Sequence, residues 1–154
     1  MNVKATLSSD DLARACAEAM WKEDDASKGL GMEIVEIKAG EATLAMTVKP
    51  DMVNGHGIAH GGFIFTLADS AFAFACNSHN ERTVAAQCNI SFIRPGKLGD
   101  VLIATAREIS RTGRSGIYDV RVSVDDTAIA ELRGHSRIVG GVWVPMAEAD
   151  AKLK

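Results

Sequence analysis

The sequence predicts an α+β fold in a single domain spanning residues 1–154, and three observations carry that expectation. The run HGGFIFTLADSAFAFAC, residues 60–76, has helical length but no polar face wide enough for a surface helix. Short segments on either side alternate apolar and polar residues with the period of strands. Two such segments precede the apolar helix and four follow it without intervening helices, which argues against an alternating parallel α/β sheet.

The elements follow in order. SSDDLARACAEAMW opens with Ser8 and Asp11 in capping-box spacing, then Leu12, Ala15, Cys16 and Ala19 at helical intervals. A short amphipathic helix over about 9–22 is expected. KGLG breaks that pattern, and MEIVEIKAGEATLAMTV reads as two strands around a turn at Gly40, with Ala42, Leu44, Met46 and Val48 alternating. The apolar helix comes next. Val84, Ala86, Cys88, Ile90 and Phe92 then alternate with polar Gln87, Asn89 and Ser91. RPGKLGD turns the chain, VLIATAREI and GIYDVRVSV are joined by SRTGRS, and AIAELRGHSRIV closes the series. A sheet of about six antiparallel strands curved around one central helix would bury that helix on most sides.

Composition narrows the class. The apolar fraction of 47% and charged fraction of 24% are those of a globular domain, and no apolar run reaches the ~18 residues of a membrane span. Neither a membrane nor a nucleic acid is an expected partner at a net charge of −3, and the leading residues are too few and too acidic for a helix-turn-helix. The N-terminus lacks the basic and apolar regions of a secretory signal, and the three cysteines are odd in number with no CxxC. A cytoplasmic, reducing setting is the expectation. Charge is uneven, with nine Lys/Arg against six Asp/Glu in residues 82–137 and eight against fourteen elsewhere.

Asp69 is the one acidic residue in the apolar helix. An ionised carboxylate buried without a partner costs several kcal/mol or is forced neutral. Two readings follow: it caps a backbone group or pairs with a buried arginine, or it is a general base or nucleophile in an apolar cleft. Gly61 and Gly62 stand where this helix begins, and helix N-termini present unpaired N–H groups and the positive end of the dipole. NGHGIAHGG has the wrong spacing for a dinucleotide fingerprint. His56 and His60 are four apart, but glycines make a helix there improbable and no third ligand is evident, so no metal is expected. Ser70 points ~100° away from Asp69 on a helix, and no G-x-S-x-G elbow exists.

Four segments together carry a family resemblance. NGHGIAHGGFIFTLADSAFAFAC, ISFIRPGKLGD, RTGRSGIYDV and RGHSRIVGG resemble the phenylacetic acid degradation thioesterases over roughly residues 30–141. The resemblance implies a hotdog fold and hydrolysis of acyl-CoA to a free acid and CoA, with phenylacetyl-CoA or its ring-hydroxylated forms as substrates. It implies no cofactor, CoA being part of the substrate. By the same resemblance an acid at the position of Asp69 is catalytic, as base or nucleophile. The Gly61 amide polarises the thioester carbonyl, with Gly62 beside it in the binding loop, and Asn54 orients water or the acyl group. His60 is a base or, on the family pattern, a shaper of the loop. Gln87 stands where related enzymes place a Ser or Thr near the acid. Arg94, Lys97, Arg111 and Arg114 sit at hairpin ends, where they are candidates for the phosphates of CoA or are simply solvated.

Spacing also bears on assembly. Gly61 and Asp69 are eight residues apart, ~12 Å of helical rise. An oxyanion donor belongs ~3 Å from the carbonyl oxygen, and the base must reach the same carbon directly or through one water. A homodimer in which the helix start of one chain meets the acid of the other is therefore the expected minimal active unit, giving two equivalent sites, with a homotetramer as a dimer of dimers. The rival functions are a hotdog acyl-CoA dehydratase or hydratase and a non-catalytic acyl-CoA-binding protein.

Overall fold

The computed structural model describes residues 7–146. The first helix, α1 (Ser9–Glu23), begins where Ser8 Oγ accepts the Asp11 amide proton at 3.1 Å, and it buries Ala13, Cys16 and Ala17. Asp24 then caps a five-residue helix, α2 (Asp25–Gly29), by accepting the Ser27 amide proton at 2.9 Å. Strands β1 (Glu33–Lys38) and β2 (Glu41–Thr47) form a hairpin turning at Gly40, whose φ of +73° favours glycine. The apolar helix, α3, runs from Gly61 to Cys76. Four strands follow it: β3 (Thr83–Phe92), β4 (Val101–Thr112), β5 (Ser115–Val124) and β6 (Thr127–Ile138).

These make one six-stranded antiparallel sheet in the order β1-β2-β4-β5-β6-β3. It is not closed: β1 and β3 are its edges. Alternation puts Leu44, Met46, Leu102, Val120, Val122 and Leu132 on the face that packs against α3, all buried. Each large apolar side chain so buried contributes about 1.5–3 kcal/mol. Small residues let the helix lie close. A Cβ at Gly134 of β6 would stand 2.8 Å from the Phe72 ring of α3, so glycine is required by that close approach.

The sheet covers one side of α3 only. Ile64, Leu67, Ala68, Ala71 and Phe72 are buried, whereas Phe63, Phe65, Thr66, Asp69 and Ser70 are half-exposed. Edge strand β3 is also open: Val84 and Phe92 are exposed, and only Cys88 and Ile90 of its inner face pack on the core. The helix thus has a side, apolar at Phe63 and Phe65, that its own chain covers only in part.

Beyond the C-terminal end of α3 a polar lock holds the segment after β6. Asn80, fully buried with φ +61°, accepts the amide protons of Trp143 and Val144 on Oδ1 and donates Nδ2–H to the Val144 carbonyl. Trp143 donates its indole N–H to Asn77 Oδ1 and lies under the Arg82 guanidinium at 4.0 Å.

Candidate active site

Asn54 organises the loop ahead of α3. Its Oδ1 accepts the amide protons of His56 at 3.0 Å and Ile58 at 3.4 Å, a side chain standing in for backbone in a tight turn. A bridge between Val53 and Ala59 closes the loop, and Ala59 N–H donates to the Gly96 carbonyl, tying it to the turn after β3. His60 is the N-cap of α3: its Nδ1 accepts the Gly62 amide proton at 2.9 Å. That leaves the Gly61 amide, which has no acceptor among the described residues.

The loop and the end of β3 enclose an open groove of about 420 Å³. Asn54, Ile58, Gly61, Ile64, Phe92 and Arg94 line it. Arg94 stands there with Nη1 donating to the Ala128 carbonyl at 2.8 Å. The structure therefore brings together Asn54, Gly61 and Arg94, with His60 and Gly62 at the same helix start. A second groove of about 400 Å³ lies on the outer face of the sheet, but Asp119 and Glu131 there are already paired with Arg133 and Arg121.

Asp69 lies two turns further along α3 and does not line the groove. Its half-buried carboxylate makes no hydrogen bond or ion pair with any described residue, so neither a capping role nor a buried arginine accounts for it. Burial raises its pKa. The charge is felt by two thiols: burial, reinforced by Asp69, pushes Cys76 up to about 12, and the same two causes raise Cys88. Asp69 is thus near enough to Cys88, on the inner side of β3, for its charge to be felt there. Ser70 turns away, its Oγ 2.9 Å from Ser27 Oγ of α2.

Other candidates fall elsewhere. Register sets Gln87 opposite His135, while its neighbour Cys88 pairs with Gly134, whose missing Cβ would point at α3. Gln87 therefore belongs to the outer face of β3, away from the Asp69 of its own chain, as alternation with Cys88 and Ile90 requires. Arg111 and Arg114 lie at the far end of β4 from Arg94. Arg111 is 3.6–3.7 Å from Glu108 and Glu81, and Arg114 donates to the Ile138 carbonyl. Lys97 is in the turn after β3, exposed, with its amide donating to Asp100. No sequence motif singles out Phe92, whose ring edge lies beside Gly61: a Cβ on Gly61 would lie 2.9 Å from its Cζ. Among the described residues no group of three His, Cys, Asp or Glu could hold a metal ion, and no helix is long and apolar enough to cross a membrane.

The thioesterase superfamily profile matches residues 56–131, a span that includes the helix start, Asp69 and the end of β3. An acyl-coenzyme A thioesterase of Escherichia coli K12, PaaI, is 44% identical over 126 residues, covering 81% of this chain and 90% of that protein. The structure of E. coli PaaI, from the phenylacetic acid degradation operon, superposes with a TM-score of 0.86 at 41% identity, over 88% of this chain and 99% of that one. A Streptococcus mutans protein, smu.793, solved bound to acetyl-CoA, superposes with a TM-score of 0.70 at 27% identity, over 72% of this chain and 90% of its own.

Proposed function

The chain belongs to the thioesterase superfamily, and we propose that it is an acyl-CoA thioesterase acting on phenylacetyl-CoA or hydroxyphenylacetyl-CoA in the cytoplasm. It hydrolyses a thioester to a free acid and a thiol. The observation that carries the reading is Asp69, a half-buried carboxylate with no partner among the described residues. It lies on the helix whose first amide, at Gly61, also lacks an acceptor among them. The aryl-acetyl choice rests on similarity to PaaI.

In the reaction the Gly61 N–H donates to the thioester carbonyl oxygen as negative charge develops there. Asp69 takes a proton from water that attacks the carbonyl carbon, or attacks that carbon itself to form an anhydride that water then cleaves. Either way the C–S bond breaks, and the CoA thiolate leaves and is protonated. Both routes need the carboxylate ionised. Asn54 has spent its Oδ1 on the loop, which leaves its Nδ2–H groups to orient water or the acyl oxygen. His60 shapes the helix start rather than moving protons, since Nδ1 is occupied by Gly62. Gly62, its amide so engaged, contributes backbone shape only. Arg94 at the groove is the best placed of the cationic candidates for a phosphate of CoA.

The active unit is a homodimer. Asp69 and Gly61 are ~12 Å apart along one helix, too far for a single carbonyl carbon. The half-exposed side of α3 and the open edge of β3 supply a surface for a second copy, so that the acid of one protomer can meet the Gly61 of its partner. Two such dimers pairing would make the homotetramer.

A thiol-release assay on phenylacetyl-, hydroxyphenylacetyl-, short- and long-chain acyl-CoA tests the reading. Turnover with aryl-acetyl esters preferred is expected. Hydration of an enoyl-CoA without thiol release would point to a hydratase, and tight binding of acyl-CoA without turnover to a sensor; either result would sink the proposal.

A further inference from the structure

Phe92 closes β3 with its ring edge against the first residue of α3. A Cβ built on Gly61 would lie 2.9, 3.2 and 3.4 Å from Cζ, Cε1 and Cε2 of that ring. The contact joins residues from two elements, and a side chain at position 61 would have to push the ring aside. The ring is nevertheless 53% exposed. A large aromatic side chain half in water gains only part of the ~2–3 kcal/mol that full burial would bring. Folding alone is a weak reason for it to be there.

The groove supplies a stronger one. Phe92, Ile58, Ile64 and Pro95 form its apolar wall, and Gly61 and Arg94 also line it. The first residue of α3 therefore opens on a groove walled mainly by hydrocarbon. A hydrogen bond to a developing oxyanion gains strength as water is excluded around it, because the local dielectric falls.

We propose that Phe92 is a positioning residue for thioester hydrolysis, its ring shielding the Gly61 amide from water and pressing the thioester into line with it. The inference rests on the reading of Gly61 as oxyanion donor. Phe92 itself forms no bond to the reacting atoms. Its effect falls on kcat more than on KM, because the shielded hydrogen bond tightens mainly in the transition state.

The test compares Phe92→Ala, Phe92→Tyr, Gly61→Ala and the double variant Gly61→Ala/Phe92→Ala in the assembled enzyme, using the best thioester of the panel. Sizing and circular dichroism check assembly. Phe92→Ala should lower kcat about tenfold while KM moves less than about threefold, a smaller loss than removing an oxyanion donor outright. Phe92→Tyr, which keeps the ring, should stay within about twofold of wild type. Gly61→Ala keeps its N–H but displaces the ring, so the double variant should be no worse than the poorer single one. A Phe92→Ala enzyme with wild-type kcat overturns the inference while leaving the thioesterase reading intact, and so do losses that multiply in the double variant. A wild-type protein that cleaves no thioester overturns both.

Discussion

His60 Nδ1 accepts the Gly62 amide proton at 2.9 Å, so the histidine is the N-cap of α3 and its acceptor nitrogen is already in use. A Cβ on Gly62 would sit 3.0 Å from that nitrogen, which fits the tightness of the cap. His60→Asn should keep an acceptor at the cap and most of the activity, while His60→Ala should lose about 1 kcal/mol of stability. Thermal unfolding and kcat of both variants check this. Equal, near-complete loss of kcat in two folded variants would restore the histidine as a base.

Asp69→Asn should abolish most turnover and yet stabilise the fold. As a base or nucleophile the carboxylate is worth about 10²-fold or more in kcat, which the amide cannot supply. A carboxylate whose pKa is raised on folding holds its proton more tightly in the folded than in the unfolded chain. Ionising it therefore costs the folded state. That cost is absent at acid pH, sets in as pH rises through the ordinary carboxylate value of ~3.9, and is complete above the raised folded value. Denaturation of wild type and Asp69→Asn at several pH values should show the variant gaining at neutral pH and converging with wild type in acid. The acid limb of kcat/KM should likewise fall above the ordinary carboxylate range. A variant keeping more than about a tenth of wild-type kcat would remove Asp69 from the chemistry.

Arg94 and Arg111 should separate cleanly. Arg94→Ala, at the groove, should raise KM for CoA esters more than for pantetheine esters, which lack the nucleotide phosphates. Arg111 is 3.6 Å from Glu108 and 3.7 Å from Glu81, with its side chain 37% exposed. Its loss should cost up to about 1 kcal/mol of stability, as for a partly exposed ion pair, and leave KM within about twofold. Parallel KM measurements on the two ester types decide it. Equal effects of Arg94→Ala on both esters would mean that it acts through its bond to Ala128 and not on phosphate.

The separation of those arginines was legible in the sequence. Arg94 precedes VLIATAREI and Arg111 follows it, and β4 spans twelve residues, roughly 40 Å of extended chain. Strand alternation was legible for the same physical reason throughout β2, β4, β5 and β6: one face is buried, so the period of two is enforced. It says nothing of where a strand lies in the sheet. The Val84–Phe92 pattern therefore reads like the others, although β3 is an edge whose inner face is only partly covered. The irregularity between Ala85 and Gln87 puts Val84 out of phase with Cys88, Ile90 and Phe92, a break that alternation does not encode. Helix α2 depends on one cap, Asp24, inside a stretch broken by Gly29 and Gly31. The Phe92 ring beside Gly61 joins residues 31 positions apart in the sequence, and no local pattern announces such a contact.

Asn80→Ala should be among the costliest single changes. It would leave the Trp143 and Val144 amides and the Val144 carbonyl without their partner and would hold a Cβ at φ +61° without the local bonding that asparagine supplies. Losing several buried hydrogen bonds at one residue is worth about 2–4 kcal/mol. Asn80→Gly relieves only the backbone strain and should recover about 1 kcal/mol of the loss. Urea midpoints of the two variants, compared at equal m, measure both amounts. A loss below about 1 kcal/mol for Asn80→Ala would show that the segment after β6 is held by other contacts.

The shared site makes the most demanding prediction. Gly61→Pro removes the proposed oxyanion N–H at a helical position that tolerates proline, and Asp69→Ala removes the acid. Proline at 61 also meets the Phe92 ring, so Gly61→Ala, which adds the Cβ but keeps the N–H, serves as the control and should lose less. Each homodimer, Gly61→Pro or Asp69→Ala, should be nearly inactive. If every site takes its amide from one protomer and its acid from the other, a mixed dimer has one doubly damaged site and one intact site. Co-expression under two tags and purification of the heterodimer should then restore about half the wild-type activity per dimer, by counting symmetric sites. A site built within one chain allows no such rescue, because each chain carries its own lesion. Sizing and circular dichroism establish that the heterodimer has assembled. An assembled heterodimer without activity would dismantle the shared site, and Asp69 would then need another route across the ~12 Å that separate it from Gly61 on their common helix.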